Sequence, residues 1–227
     1  MQLSLPYQEF SDYVKKQIKN FFPDSRNPDR GQFIRAFDQA LDRTDFCFKH
    51  VVLAAYHKKD DVFLNHLHSD QYAVFLWFLS NSVWKLTEDE ETANKLFYLN
   101  KSLHGLSCMY DTCMPEIFLL LHTVGVVLGK ATYGDFFVAT QGSTVGAQHG
   151  KYPIIGKGVS LLPYSAVIGE CNIGDGVSIG IHSVVYQQDV PASQVVITRQ
   201  TNVQHINDNN WPWAQRFYDI PLYDNLD

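Results

Sequence analysis

Six aliphatic residues, Ile155, Leu161, Val167, Ile173, Ile179 and Val185, recur at intervals of six, and Pro191 is next in phase. Glycine follows the aliphatic residue at Gly156, Gly174 and Gly180, and small or β-branched residues stand four places after it at Val159, Ser165, Cys171, Val177 and Ser183. An amphipathic helix needs apolar residues three and four apart, a pattern that Ser160, Asn172, Asp175 and Gly176 interrupt. A hexad instead supplies one short strand with one inward aliphatic side chain, three hexads close a triangular coil, and small residues are needed where the wall turns. No coil buries its own face, so the core comes from stacking coil on coil. The expected fold of this half is a left-handed parallel β-helix of hexapeptide repeats.

The first half has a helical period. Phe10, Tyr13, Val14, Gln17, Ile18 and Phe21 share one stripe that ends before Pro23. Asn27-Pro28 reads as the start of a second helix, carrying Phe33, Phe37, Ala40 and Leu41 on one face. Ser69 and Asp70 are placed to cap a third, through Tyr72, Phe75, Leu76, Phe78 and Leu79. Thr87 and Glu90 have capping-box spacing for a fourth, running through Leu96, Leu99 and Leu103 to Gly105, and the acids from Glu88 to Glu91 belong to its first turn. The class is therefore α+β, with an N-terminal α-helical domain over 1–106 and the β-helix over 107–195. A C-terminal tail over 196–227 contains Trp211, Trp213, Phe217, Tyr218 and Tyr223 and is too aromatic to float free; it is expected to pack on the last coil or on a neighbouring subunit.

Composition narrows the function. A chain of 227 residues that is 45% hydrophobic buries a real core. The formal charge of -6 and the lack of Lys/Arg clusters leave no electrostatic footprint for nucleic acid or an anionic membrane surface. Cys47, Cys108, Cys113 and Cys171 are scattered without a CxxC pair, which fits reduced cytoplasmic thiols better than a disulfide framework or a zinc site. Met1 to Pro6 lacks the basic start and apolar run of a signal peptide, and the most apolar stretch, Ile117 to Gly129, is too short for a membrane span. A soluble cytoplasmic protein is expected.

The hexad phase breaks in one place that draws attention. Ala139 and Val145 are six apart, but ten positions separate Val145 from Ile155, so a loop leaves the coil between Gly146 and Ile154. It carries Gln148, His149, Gly150 and Tyr152, and polar side chains on a loop projecting from a rigid repeat are well placed for function.

The segment His122-Thr123-Val124-Gly125-Val126-Val127-Leu128-Gly129 resembles the active-site coil of the serine acetyltransferases, and Gln141, Thr144, Val145 and Gly146 resemble the coil that follows it. Phe97 to His104 is similar to the last helix of that family's N-terminal domain, and the likeness runs from about Asp70 to Pro191. It implies acetyl transfer from acetyl-CoA, with His122 as the general base that takes the proton from an acceptor hydroxyl. A neutral imidazole titrates near pH 7 and suits that role; backbone N–H groups of the Gly146 loop are candidate donors to the developing oxyanion. The resemblance also implies a homotrimer or a dimer of trimers, with acetyl-CoA in a groove between subunits. The matching CoA-binding positions are Gly146, Ala147, Leu162, Pro163, Gly180 and Ile181, and Lys157 and Arg199 are phosphate candidates. Gln141, His149 and Tyr152 are the matching acceptor-side residues.

Three departures from the family pattern bear on the acceptor. The family's acid partner of the base aligns with Ser107, so Asp111, or in reserve Glu116, is the expected partner of His122. The acid before the base is here Leu121, and the family's Arg-His-Pro aligns with Lys151-Tyr152-Pro153, with His149 three places earlier as a substitute. These changes point away from serine and toward a sugar hydroxyl, with serine as the alternative. A β-helical metal enzyme would need converging histidines close in sequence, whereas His122, His149 and His182 are far apart; no metal is expected. His66 and His68 read as surface and capping residues, and His182 as an outward wall residue. The remaining alternative is a non-catalytic trimeric scaffold in which His122 is incidental.

Overall fold

The computed structural model of the chain describes residues 1–26, 28–198, 204–208 and 211–222. The cap expected at Asn27, the phosphate candidate Arg199 and the tail residue Tyr223 lie outside them. The chain divides into two compact units, 1–49 with 53–111 and 50–52 with 112–227.

The first unit holds four helices, α1 (Tyr7–Phe21), α2 (Arg30–Lys49), α3 (Ser69–Thr87) and α4 (Glu90–His104). Helix α3 is buried without interruption from Asp70 to Val83. A helix apolar on all sides becomes the centre of a bundle rather than its surface. Phe10 and Val14 of α1, Phe33 and Phe37 of α2, and Leu96 and Leu99 of α4 are all buried. Phe75 is the aromatic hub, with ring centroids 4.9 Å from Phe10 and 5.5 Å from Phe37. Phe21 and Leu103, both placed inside by periodicity, sit at helix ends and are 46% and 38% exposed. A small sheet that periodicity did not reveal joins Gln2–Leu3 in parallel to Asp61–Leu64, which pairs antiparallel with His57–Lys58.

The helix starts differ from the expected caps. Helix α2 opens at Arg30, and the carboxylate of Asp29 accepts the Gln32 N–H at 2.8 Å. At α3 the cap is His68, whose Nδ1 accepts the Gln71 N–H at 3.4 Å, so Ser69 and Asp70 are already helical. At α4 the cap is Asp89, which accepts the Thr92 N–H at 3.0 Å and the Thr92 hydroxyl at 2.6 Å. Thr87 belongs to the end of α3, its hydroxyl donating to the Val83 carbonyl at 2.7 Å. The reason is spacing: Glu88 turns the chain with φ 54, and the next helix cannot begin until after that left-handed residue.

The second unit is the parallel solenoid that the hexads require. Its first face stacks Phe118–Leu121, Phe137–Thr140, Ser160–Leu161, Ser178–Ile179 and Gln194–Thr198, with Gln204–Asp208 added antiparallel at the end. The second face includes Val127–Leu128, Thr144–Gly146, Ala166–Ile168 and Val184–Tyr186; the third has Thr132–Tyr133, Ile154–Ile155 and Asn172–Ile173. The hexad residues form three inward columns: Ala139, Leu161 and Ile179; Val145, Val167 and Val185; Tyr133, Ile155 and Ile173. All nine are buried. The phase slips at the end, where Val190 bridges to Ile173 and is 1% exposed while Pro191, the expected inward residue, is exposed.

The tail does not stop at the last coil. The Trp213 N–H donates to the Ser178 hydroxyl at 3.0 Å, and Tyr218, 2% exposed, donates its hydroxyl to the Phe137 carbonyl at 3.0 Å. It thus runs back along the first face across several coils, burying an apolar wall that a solenoid otherwise leaves to solvent.

Candidate active site

The solenoid has three edges, and His122 stands on the one between the first and second faces. Strand register pairs Leu121 with Thr140 on one side of this edge and Val127 with Thr144 on the other. Five residues lie between Leu121 and Val127, but three between Thr140 and Thr144. The ladder resumes at Val124, whose carbonyl accepts the Gly142 N–H at 3.0 Å, as the Gln141 carbonyl accepts from Tyr164 and the Pro163 carbonyl from His182. The two additional residues are therefore His122 and Thr123. His122 has φ 54, its side chain is exposed, and among the described residues no later coil has a residue in its place. A bulged residue on a rigid wall is aimed outward without disturbing the core beneath it, where Thr123 and Val126 are buried.

Five expected site positions share this edge in the following coils. Gln141 follows one coil on, then Leu162 with Pro163, then Gly180 with Ile181. Gln141 is half-buried, and its buried Oε1 has no hydrogen-bond partner among the described residues. Buried polar atoms are ordinarily satisfied, so this acceptor is conspicuous on the edge that carries His122.

Gly146, Ala147, His149 and Tyr152 lie on a different edge, between the second and third faces. The loop is shorter than the phase break suggested: Gln148 and Lys151 exchange backbone hydrogen bonds at 3.0 and 2.9 Å, closing a two-residue turn. His149 and Gly150 occupy it with φ 51 and 74, as such turns demand. His149 is exposed, its Nε2 3.1 Å from Gln148 Nε2, and Tyr152 is half exposed. Lys151 projects toward Glu170 at 3.2 Å. One chain therefore does not bring His122 and His149 to one edge, nor Gly146 and Ala147 to the edge of Leu162 and Gly180.

Asp111 is the last residue of the helical unit and is half-buried; Glu116 is exposed and precedes the first coil in the solenoid unit. Lys157 stands at the third edge, its Nζ 5.3 Å from the Phe136 ring centre. Among the described residues no group of three or more His, Cys, Asp or Glu is placed to hold a metal ion, and no helix is long and apolar enough to cross a membrane.

The sequence reading missed an aromatic pair on the His122 edge. Tyr164 and His182 stack with ring centroids 5.2 Å apart and an interplanar angle of 8°. The available signal was their separation of eighteen residues, three hexads, which puts them on the same edge one coil apart. His182 is thereby an outward corner residue rather than a wall residue.

No family model matches the chain. A curated serine acetyltransferase of Synechococcus elongatus is 33% identical over 107 residues, which is 45% of this chain and 43% of that protein. Among solved structures, serine acetyltransferase 1 of Entamoeba histolytica in complex with L-cysteine aligns over 84% of this chain and 75% of its own, with TM-score 0.60 and 18% identity. The serine acetyltransferase of Brucella abortus covers 88% of this chain and 77% of its own, with TM-score 0.59 and 16% identity. That of Vibrio cholerae covers 86% and 69%, with TM-score 0.60 and 17% identity.

The chain is serine acetyltransferase-like in sequence and fold. At these identities the structural likeness speaks to the fold: a four-helix region followed by a β-solenoid of about five turns. The serine acetyltransferase-like chain spans less than half the length of the curated relative it matches. These relatives are named for serine and not for a sugar, which favours the serine alternative over the sugar acceptor expected from Leu121 and Tyr152.

Proposed function

We propose that this chain transfers an acetyl group from acetyl-CoA to the hydroxyl of serine or a closely similar amino acid, with His122 as general base. The observation that carries the reading is the two-residue bulge that puts an exposed imidazole on a solenoid edge in a serine acetyltransferase-like chain. The neutral imidazole of His122 takes the hydroxyl proton as the oxygen attacks the thioester carbon. Collapse of the tetrahedral adduct breaks the carbon–sulfur bond, and the imidazolium returns the proton to the departing CoA thiolate. The unpartnered Gln141 Oε1, one coil away, is suited to accept a hydrogen bond from the ammonium of an amino-acid acceptor.

The working unit in this reading is a trimer. A threefold assembly sets the His122 edge of one copy against a different edge of the next, which would unite His122 and Gln141 with His149, Tyr152 and the Gly146–Ala147 corner. Val124, 73% exposed, and Val127, Val184 and Tyr186, 40 to 51% exposed, supply apolar surface for that contact. Asp111 is proposed as the partner that orients His122, with Glu116 as the alternative. Leu162, Pro163, Gly180 and Ile181 are proposed to line the acetyl-CoA groove.

Thiol release from acetyl-CoA, followed with serine, homoserine and a panel of sugars, tests the reading. Serine-dependent release that falls about a hundredfold or more in His122→Ala supports it. Release driven by a sugar alone restores the earlier acceptor. No release with any acceptor, together with no CoA binding by calorimetry, makes the chain a scaffold.

A further inference from the structure

The helical unit has a cleft of about 440 Å³ that the proposed transfer does not use. Its walls are α1 from Gln8 to Lys19, the connection to α2 and the first turn of α2; its floor is Ile18 and Phe33, both buried, with Phe22 half-buried beside them. Five cationic side chains line it, Lys15, Lys16, Lys19, Arg26 and Arg30, against two carboxylates, Asp12 and Asp24. That is a net of three positive charges in a chain whose formal charge is -6. The absence of Lys/Arg clusters inferred from the sequence does not hold in three dimensions.

The acids do not neutralise this set. Asp24 is engaged by Lys95 Nζ at 2.7 Å and by the Arg26 N–H at 3.1 Å, and Arg26 itself reaches Glu91 at 2.8 Å. Asp12 accepts from Gln8 at 3.1 Å and from Lys15 at 3.5 Å. Lys15 Nζ also lies 5.5 Å from the centre of the Phe33 ring, its stem over the apolar floor. Lys16, Lys19 and Arg30 are exposed and form no ion pair among the described residues. Lys15 and Lys16 precede Lys19 by four and three residues, so each of them neighbours Lys19 on the surface of α1 and like charges repel there. A dianion placed among them relieves that repulsion and gains charge-assisted hydrogen bonds. The volume is in the range of small-ligand sites and far larger than one ion needs.

We propose that this cleft binds a small organic phosphate, its phosphate held by Lys16, Lys19 and Arg30 and its organic body resting on Ile18 and Phe22. The site is lined only by residues of the helical unit and does not depend on the acetyl-transfer reading.

The test uses the full chain and adenosine monophosphate as probe, with calorimetry for affinity and methyl-resolved NMR for location. The expected result is saturable binding with Kd of order 0.1 mM, weakened as salt screens the charges, with the Ile18 methyl resonance shifting along the titration. Adenosine without its phosphate does not bind, and pyrophosphate displaces the probe. In Lys16→Ala/Lys19→Ala the affinity drops about tenfold or more, whereas His122→Ala binds as the parent does, which separates this site from the transfer site. Both variants alter exposed side chains and leave the core intact. No saturable binding, binding undiminished in the double variant, or shifts confined to solenoid methyls such as Ile155 would each overturn the proposal.

Discussion

The Tyr164 ring lies flat over Gly142, so close that a Cβ on Gly142 would fall 2.3 Å from Tyr164 Cδ1. The opposite side of the same ring faces His182, and Gly142 itself has φ 68. Position 142 is thus constrained twice, by backbone conformation and by a neighbour one coil on, along the edge where His122 and Gln141 stand.

Gly142→Ala should lower stability by about 1–3 kcal/mol, from left-handed strain plus displacement of the ring. In a Tyr164→Ala background the same substitution should cost less, because only the backbone strain remains. Urea denaturation of the single and double variants checks this; equal costs in both backgrounds would show that the ring contact contributes nothing.

His104 predicts an acid-sensitive helical unit. Burial is the main cause that pulls its imidazole down from 6.5 to about 4, partly opposed by the Asp70 charge and by a hydrogen bond to the Asn100 backbone. The unfolded chain therefore binds the extra proton between those two values. Stability from the neutral ring is complete above about pH 6.5 and is lost as pH falls toward 4, by up to about 3 kcal/mol. His104→Gln should flatten this part of the stability profile in urea melts at pH 7 and pH 5. An unchanged slope would remove His104 as its source.

Helix α4 should depend on Asp89 and not on Thr87 for its start. Asp89→Ala removes the acceptor of the Thr92 N–H and should cost about 1 kcal/mol. Thr87→Val should cost less, since its hydroxyl serves the last turn of α3. Thermal melts rank the two, and the reverse order would restore a capping box at Thr87 and Glu90.

If the transfer site spans two copies, inactive variants should complement. His122→Ala and Tyr152→Ala alter different edges, and chains carrying one or the other, unfolded together and refolded as mixed trimers, place both intact edges at about a quarter of the sites. About a quarter of parental activity is the expected recovery when each variant alone is inactive. No recovery from verified mixed oligomers would put the whole site in one chain.

Much of the fold was legible because the hexad is a local code. Ile155, Leu161, Val167, Ile173, Ile179 and Val185 each report one inward side chain, and register turns their spacing directly into three columns. The four helices were legible for the same reason, from stripes such as Phe10, Val14 and Ile18. Their caps were less so, because Thr87, Asp89 and Glu88 compete for the same few positions and only the backbone path decides which one serves. The slip to Val190 was hidden because deleting one residue from a corner leaves the strand pattern almost unchanged.

What the sequence determined by itself is the solenoid, which is written in short-range spacing, while His122 was singled out by the resemblance of its segment to the active-site coil of the serine acetyltransferases. The tertiary structure decided which residues share an edge. It assigned Gln141, Pro163 and Ile181 to the edge of His122, put His149 and Tyr152 on another, and gathered Lys16, Lys19 and Arg30 around one cleft. Those groupings depend on how many residues each corner consumes and on how helices pack, and neither quantity is carried by any single local motif.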